Sequence, residues 1–161
     1  MKIHLIRHAK TAPSSISGND FDRRLLTKGI VQANVLASFL KTKTIQPQLT
    51  WCSEATRTKE TLIILQHSID LGEIFFSTEL YLCDRETYLK EIWKLKKYKE
   101  LVIIGHNDGI SALASYLCDE SLNMRTSEYY CIEFATENWN EISMGTGKVI
   151  DHFHPSVFLL D

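Results

Sequence analysis

Apolar residues recur along the chain in two rhythms, short continuous runs and stripes spaced three or four apart. Residues 3–6 predict a short strand, and the polar stretch carrying Pro13, Ser14, Ser15, Ser17 and Gly18 predicts the loop after it. The spacing of Ile30, Ala33, Ala37 and Leu40 predicts a first helix. Leu49 and Trp51, following Pro47, predict a second strand, and Ser53 is placed to cap a helix with the stripe Leu62, Leu65 and Ile69. Residues 74–77 predict a further strand, and Leu89, Ile92 and Trp93 a third helix. The run 101–104 is wholly apolar and stops at Gly105, as expected of a central strand covered on both faces, and 110–117 predict another helix. Residues 129–134 and 141–144, on either side of a polar turn near Asn138, predict late strands at the sheet edge.

Strands alternating with helices imply an α/β fold of three layers, a mostly parallel central sheet with helices on both faces. The length of 161 residues suits one domain, residues 1–161. In such sheets ligands bind beyond the carboxyl ends of the strands. The residues there are Arg7 and His8 after the first strand, Arg57 in the first helical turn after the second, and His106 after the central one. Forked guanidinium groups match the oxygens of a phosphoryl group, and helix N-termini favour anions, so this set describes a dianion pocket containing imidazole.

Composition removes other classes of function. Eighteen Lys and Arg against twenty Asp and Glu leave a formal charge of −2, without a global field to recruit nucleic acid or an anionic membrane. The longest apolar runs, 62–65 and 101–104, fall far short of the roughly 18 residues of a spanning helix. The first residues reach Arg7-His8 at once, with no room for the apolar region of a secretory signal, so a cytoplasmic protein is expected. Cys52, Cys83, Cys118 and Cys131 form no Cys-x-x-Cys and are expected to be reduced packing thiols.

The segment Leu5-Ile6-Arg7-His8-Ala9-Lys10 resembles the signature of the histidine phosphatase superfamily, the phosphoglycerate mutase-like fold, in its short SixA-like phosphohistidine phosphatase branch. The likeness continues in order through Asp22-Arg23-Arg24-Leu25 with Gly29, Cys52-Ser53-Glu54-Ala55-Thr56-Arg57 with Thr61, Gly105-His106-Asn107, and Met124-Arg125-Thr126. Departures are Ala9 where the broad superfamily has Gly, Leu26 where Thr is usual, and Glu54 and Asp108 in place of prolines.

The resemblance implies that His8 is the nucleophile, accepting the phosphoryl group before water hydrolyses the phosphohistidine. Arg7 and Arg57 would disfavour protonation of His8 and stabilise the transferring group, and His106 would donate to its oxygens. Arg23 is a candidate substrate ligand, and Glu79 and Asp84 are candidates for the general acid that larger members carry on an inserted loop. No metal or cofactor is implied. The substrate expected is phosphohistidine on a protein. Small phosphate esters, a phosphomutase reaction and a catalytically silent phospho-ligand module are the alternatives, and oligomeric state is left open.

His152 and His154 would share a strand face, but no third metal ligand has motif spacing. His4 and His67 read as structural. Lys90, Lys94, Lys96, Lys97 and Lys99, interleaved with Ile92, Trp93 and Leu95, read as a solvated helix face, with acidic-partner docking as the sharper alternative.

Overall fold

The structure is a computed structural model that describes residues 1–155. Strand and helix alternate as β1 (Lys2–Arg7), α1 (Thr27–Lys43), β2 (Leu49–Ser53), α2 (Thr56–Gln66), β3 (Glu73–Ser77), α3 (Arg85–Ile92), β4 (Glu100–Gly105) and α4 (Gly109–Cys118). Two strands follow, β5 (Tyr129–Phe134) and β6 (Gly147–Phe153). The sheet order is β3-β2-β4-β1-β5-β6. β4 pairs parallel with β1 and β2, and β2 parallel with β3, whereas β5 pairs antiparallel with β1 and β6. The α/β fold with a mostly parallel sheet is therefore the observed one, with an antiparallel pair added at one edge.

The apolar runs of β1 and β4 are buried because helices cover both faces of the sheet. Ile3, Leu5, Leu101 and Ile103 pack with Tyr88 and Ile92 of α3 and Leu113 and Leu117 of α4. Ile6, Val102 and Ile104 pack with Leu36 and Leu40 of α1 and Leu62 and Leu65 of α2. Each such side chain contributes roughly 1.5–3 kcal/mol through burial. Gly29 in the first turn of α1 allows a close approach: a Cβ there would lie 2.0 Å from the Lys10 carbonyl oxygen, so only glycine lets this helix abut the loop after β1.

Several expectations need correction. The predicted strand at 141–144 is absent; Trp139–Glu141 is a 3-10 turn, and the Ile142 carbonyl accepts from the Trp93 indole at 2.7 Å. The edge strand is instead β6, whose residues alternate between exposed and half-buried. Of the stripe expected in α1, Ala33, Ala37 and Leu40 are buried but Ile30 is exposed, and the helix buries Gln32 and Leu36 as well. Ile69 lies past the end of α2. α3 ends at Ile92, so of the basic run only Lys90 is helical. Ser53 does not cap α2; the cap position is Ala55, and the Ser53 hydroxyl has a different partner, described below. Among the described residues no helix is long and apolar enough to cross a membrane, and all four cysteines are free.

Candidate active site

The end of β1 is clamped on both sides. The His8 N–H donates to the Gly105 carbonyl at 3.1 Å, and the Ser127 N–H donates to the carbonyls of Arg7 and His8, each at 3.1 Å. The Ala9 N–H donates to Thr61 Oγ1 at 3.1 Å, and that hydroxyl donates to the Arg57 carbonyl at 2.7 Å, joining the first turn of α2 to the same loop. β1, β2 and β4 end side by side, so the residues following them converge. Arg7, His8, Arg23, Arg57 and His106 all line one cavity of about 300 Å³. Lys10, Thr11, Asp20, Leu82, Asn107 and Thr126 complete it.

His8 is nearly buried, and its Nδ1 donates to the Ala9 carbonyl at 2.8 Å. A carbonyl only accepts, so the ring proton sits on Nδ1 and the lone pair on Nε2. Burial pushes the His8 pKa down to about 3 against the opposing hydrogen bond to Ala9, with Arg57, Arg7 and Arg23 adding to the decrease. His106 lies 5.2 Å away, centroid to centroid. Its Nε2 meets the Ser53 hydroxyl at 2.8 Å, and its buried Nδ1 has no hydrogen-bond partner among the described residues. Burial, then the nearby His8 and Arg57, lower the His106 pKa to about 3. Donation from Ser53 to Nε2 would place the ring proton on the unpartnered Nδ1, and donation from Nε2 to Ser53 would leave Nδ1 without one.

The arginines are anchored individually. Arg7 Nη1 donates to the Met124 carbonyl at 2.8 Å, and its Nε is buried without a partner among the described residues. Arg23 donates through Nε to the Ala12 carbonyl at 2.6 Å, through Nη2 to Thr11 Oγ1 at 2.7 Å and through Nη1 to Asp20 Oδ1 at 2.6 Å. Arg57 donates to the Asp20 carbonyl at 2.8 Å and to Asp20 Oδ2 at 3.0 Å. The Tyr81 hydroxyl also donates to Asp20 Oδ2, at 2.6 Å, and the Tyr81 ring stands edge-on to His106 at 5.5 Å. Hydrogen bonds from Tyr81 and then Arg23 hold the Asp20 carboxyl well below the usual carboxylate range.

The two carboxylates expected as general acids are elsewhere. Glu79 lines a separate groove. Asp84 caps α3, accepting from the Thr87 N–H at 2.8 Å. Asp20 is the carboxylate on the cavity. The sequence does not mark it or Tyr81, because neither comes directly after a strand and the loop carrying Asp20 has no periodicity. Among the described residues no group of three or more His, Cys, Asp and Glu is placed to hold a metal ion. His152 Nε2 contacts Glu128 Oε1 at 2.7 Å, outside the cavity.

Residues 3–80 match the Histidine phosphatase superfamily (branch 1). A protein of Mycobacterium leprae is 30% identical over 137 residues, covering 81% of this chain and 82% of the relative. The chain belongs to the histidine phosphatase superfamily. Within it the chain resembles SixA proteins. It is 25% identical to a proposed phosphohistidine phosphatase SixA from Agrobacterium tumefaciens, with a TM-score of 0.84 and coverage of 96% and 97% of the two chains. The protein histidine phosphatase SixA complexed with tungstate shares the fold, at 21% identity, TM-score 0.84 and coverage of 98% and 99%. The superfamily match contains Arg7, His8, Arg23 and Arg57 but stops short of His106, which joins them only through the pairing of β1 with β4.

Proposed function

We propose that this protein is a phosphatase working through a phosphohistidine intermediate on His8, and that its substrate is phosphohistidine carried by a protein. The observation that carries this reading is the His8 ring: its proton is spent on the Ala9 carbonyl, which leaves an unprotonated Nε2 in a cavity with four cationic side chains, Arg7, Lys10, Arg23 and Arg57. The Nε2 lone pair forms the bond to phosphorus as the bond to the leaving nitrogen breaks, and that nitrogen takes a proton from solvent. Water then attacks phosphorus, the P–Nε2 bond breaks, and inorganic phosphate leaves. Arg7 holds the equatorial oxygens, Arg57 and Arg23 join it as they exchange Asp20 for substrate, and His106 is a further donor to the same oxygens. The chemistry assigned to these side chains uses no metal and no cofactor.

Leaving-group chemistry favours this substrate. An imidazole leaves with a conjugate-acid pKa of ~6.5, whereas an unassisted alkoxide leaves with one of ~16. Asp20 is ionised and held by Tyr81 and the arginines, so it has no proton to give an alkoxide. Free thiols at all four cysteines accord with a reducing, cytoplasmic setting.

The test compares kcat/KM for a phosphohistidine peptide, a sugar phosphate and an aryl phosphate, with the parent protein and His8→Ala. The expected order places the peptide first and the sugar phosphate last, with all turnover lost in His8→Ala while tungstate still binds. Near-parental turnover by His8→Ala removes the nucleophile, and preference for the sugar phosphate removes the phosphohistidine reading.

A further inference from the structure

Helices α3 and α4 cover the sheet over β4 and β1 but leave its β3 end open. Leu49, Trp51 and Phe75 floor a groove of about 540 Å³ there. Trp51 is 6% exposed and Phe75 is 55% exposed, so the floor runs from core to solvent on an edge strand. The rim is acidic: Glu54, Glu73, Glu79 and Glu91 surround it with one lysine, Lys94. Lys94 is already paired with Glu91 at 2.5 Å, and Lys59, outside the lining, stands 3.9 Å from Glu54. The groove also shares a wall with the catalytic cavity. Leu80, at the end of the 3-10 turn Thr78–Leu80, lines the groove, while the next residue, Tyr81, touches the His106 ring.

An exposed aromatic floor beside an unpaired strand edge is a recognised association surface, and opposite charge selects what associates with it. We propose that this groove docks the protein that delivers the phosphoryl group, engaging a segment that combines Lys or Arg with a large apolar side chain, so that the phosphorylated histidine is held at the neighbouring cavity. This rests on the phosphohistidine reading above. The rim charge argues against a second copy of the chain as occupant, because a two-fold contact would set the same acidic rim against itself. It equally disfavours an acidic segment.

Two phosphohistidine peptides test this, identical except that the flanking segment alternates Lys with Leu in one and Glu with Leu in the other. Para-nitrophenyl phosphate serves as a substrate too small to reach the groove. The parent protein is expected to favour the lysine peptide by about ten-fold in kcat/KM, mainly through KM. Phe75→Ser and Glu91→Lys should each reduce that preference to about three-fold or less while leaving aryl phosphate turnover and thermal midpoint unchanged. Equal handling of the two peptides by the parent, or a preference that survives both substitutions, overturns the docking proposal and leaves the phosphohistidine reading intact. If neither peptide is hydrolysed while the aryl phosphate is, the phosphohistidine reading fails. Fluorescence anisotropy of the same peptides without phosphate then decides the groove: selective, Phe75-dependent binding of the lysine peptide supports it and equal binding overturns it. A dimer dissociated by Phe75→Ser in sedimentation would assign the face to a second copy and also overturn it.

Discussion

Both terminal nitrogens of Arg57 are committed to Asp20, Nη1 to its carbonyl at 2.8 Å and Nη2 to its carboxylate at 3.0 Å. A loop carboxylate thus occupies a guanidinium edge suited to a phosphoryl oxygen. Arg23 and the Tyr81 hydroxyl hold the same carboxylate. A phosphoryl group entering the cavity competes with Asp20 for these donors, and the competition weakens binding.

Replacing Asp20 with Ala should therefore strengthen inhibition by tungstate or orthophosphate about ten-fold, the scale of one charge-assisted hydrogen bond. The inhibition constant of each oxyanion measures it. Weaker inhibition in Asp20→Ala would instead show that Asp20 holds the arginines in place for the substrate.

The parts of this arrangement legible in the sequence are those that follow from strand order. Continuous apolar runs mark β1 and β4 as central because both faces of each are covered, and the polar residues after them, Arg7, His8 and His106, consequently sit at one end of the sheet. Asp20 and Tyr81 were illegible because their positions depend on how two irregular loops fold over that end. β6 was missed for a related reason: it is an edge strand whose alternating faces bury little, whereas Ile142, in the segment expected to be a strand, is buried by packing outside the sheet. The Lys-rich run misled because helical spacing continues past Ile92 while the helix does not.

Two of the buried histidines, His8 and His106, predict a specific loss of stability in mild acid. His8 and His106 have native pKa values near 3, against about 6.5 in an unfolded chain. Between these values the unfolded state binds more protons, so stability falls as pH falls, by up to about 1.4 kcal/mol per pH unit for each histidine. The window from about pH 6.5 to 5.5 lies above most carboxylate titration. Urea unfolding across that window should show the decline, and His8→Gln should flatten it by up to about half, the remainder coming from His106 and from His154, whose pKa burial also lowers. A slope unchanged in His8→Gln would mean that His8 does not remain neutral in the native protein.

Ser53 offers a narrower test of how His106 is held. Its hydroxyl faces His106 Nε2 at 2.8 Å, and donation from Ser53 places the ring proton on Nδ1. Ser53→Ala removes that donor from a fully buried position and frees Nε2 to keep the proton. Turnover should fall about ten-fold in kcat with little change in KM, and the pH dependence of kcat should shift, because the donor to the transferring group is lost only part of the time. Ser53→Thr, which keeps the hydroxyl, should recover most of the rate. Equal losses in both variants would make the effect one of packing rather than proton placement.

The last prediction concerns the proton that an ester leaving group needs and a phosphoramidate can take from solvent. Glu79 lies in the docking groove and Asp84 is engaged as the cap of α3, so neither reaches the cavity in this arrangement. Asp20 does line it, but its carboxylate is kept ionised by the Tyr81 hydroxyl and Arg23. Hydrolysis of aryl phosphate and of a small phosphoramidate that does not reach the groove should accordingly stay within about two-fold of the parent in Glu79→Gln and Asp84→Asn, since a nitrophenolate leaves unprotonated and the phosphoramidate nitrogen takes its proton from solvent. Alkyl phosphate is the sensitive probe, and it should be a poor substrate for all three proteins. A large loss confined to alkyl phosphate in Glu79→Gln would identify Glu79 as a general acid carried to the site by movement of the Thr78–Leu80 turn. Efficient alkyl phosphate turnover by the parent, abolished by that substitution, would make the protein an ester phosphatase.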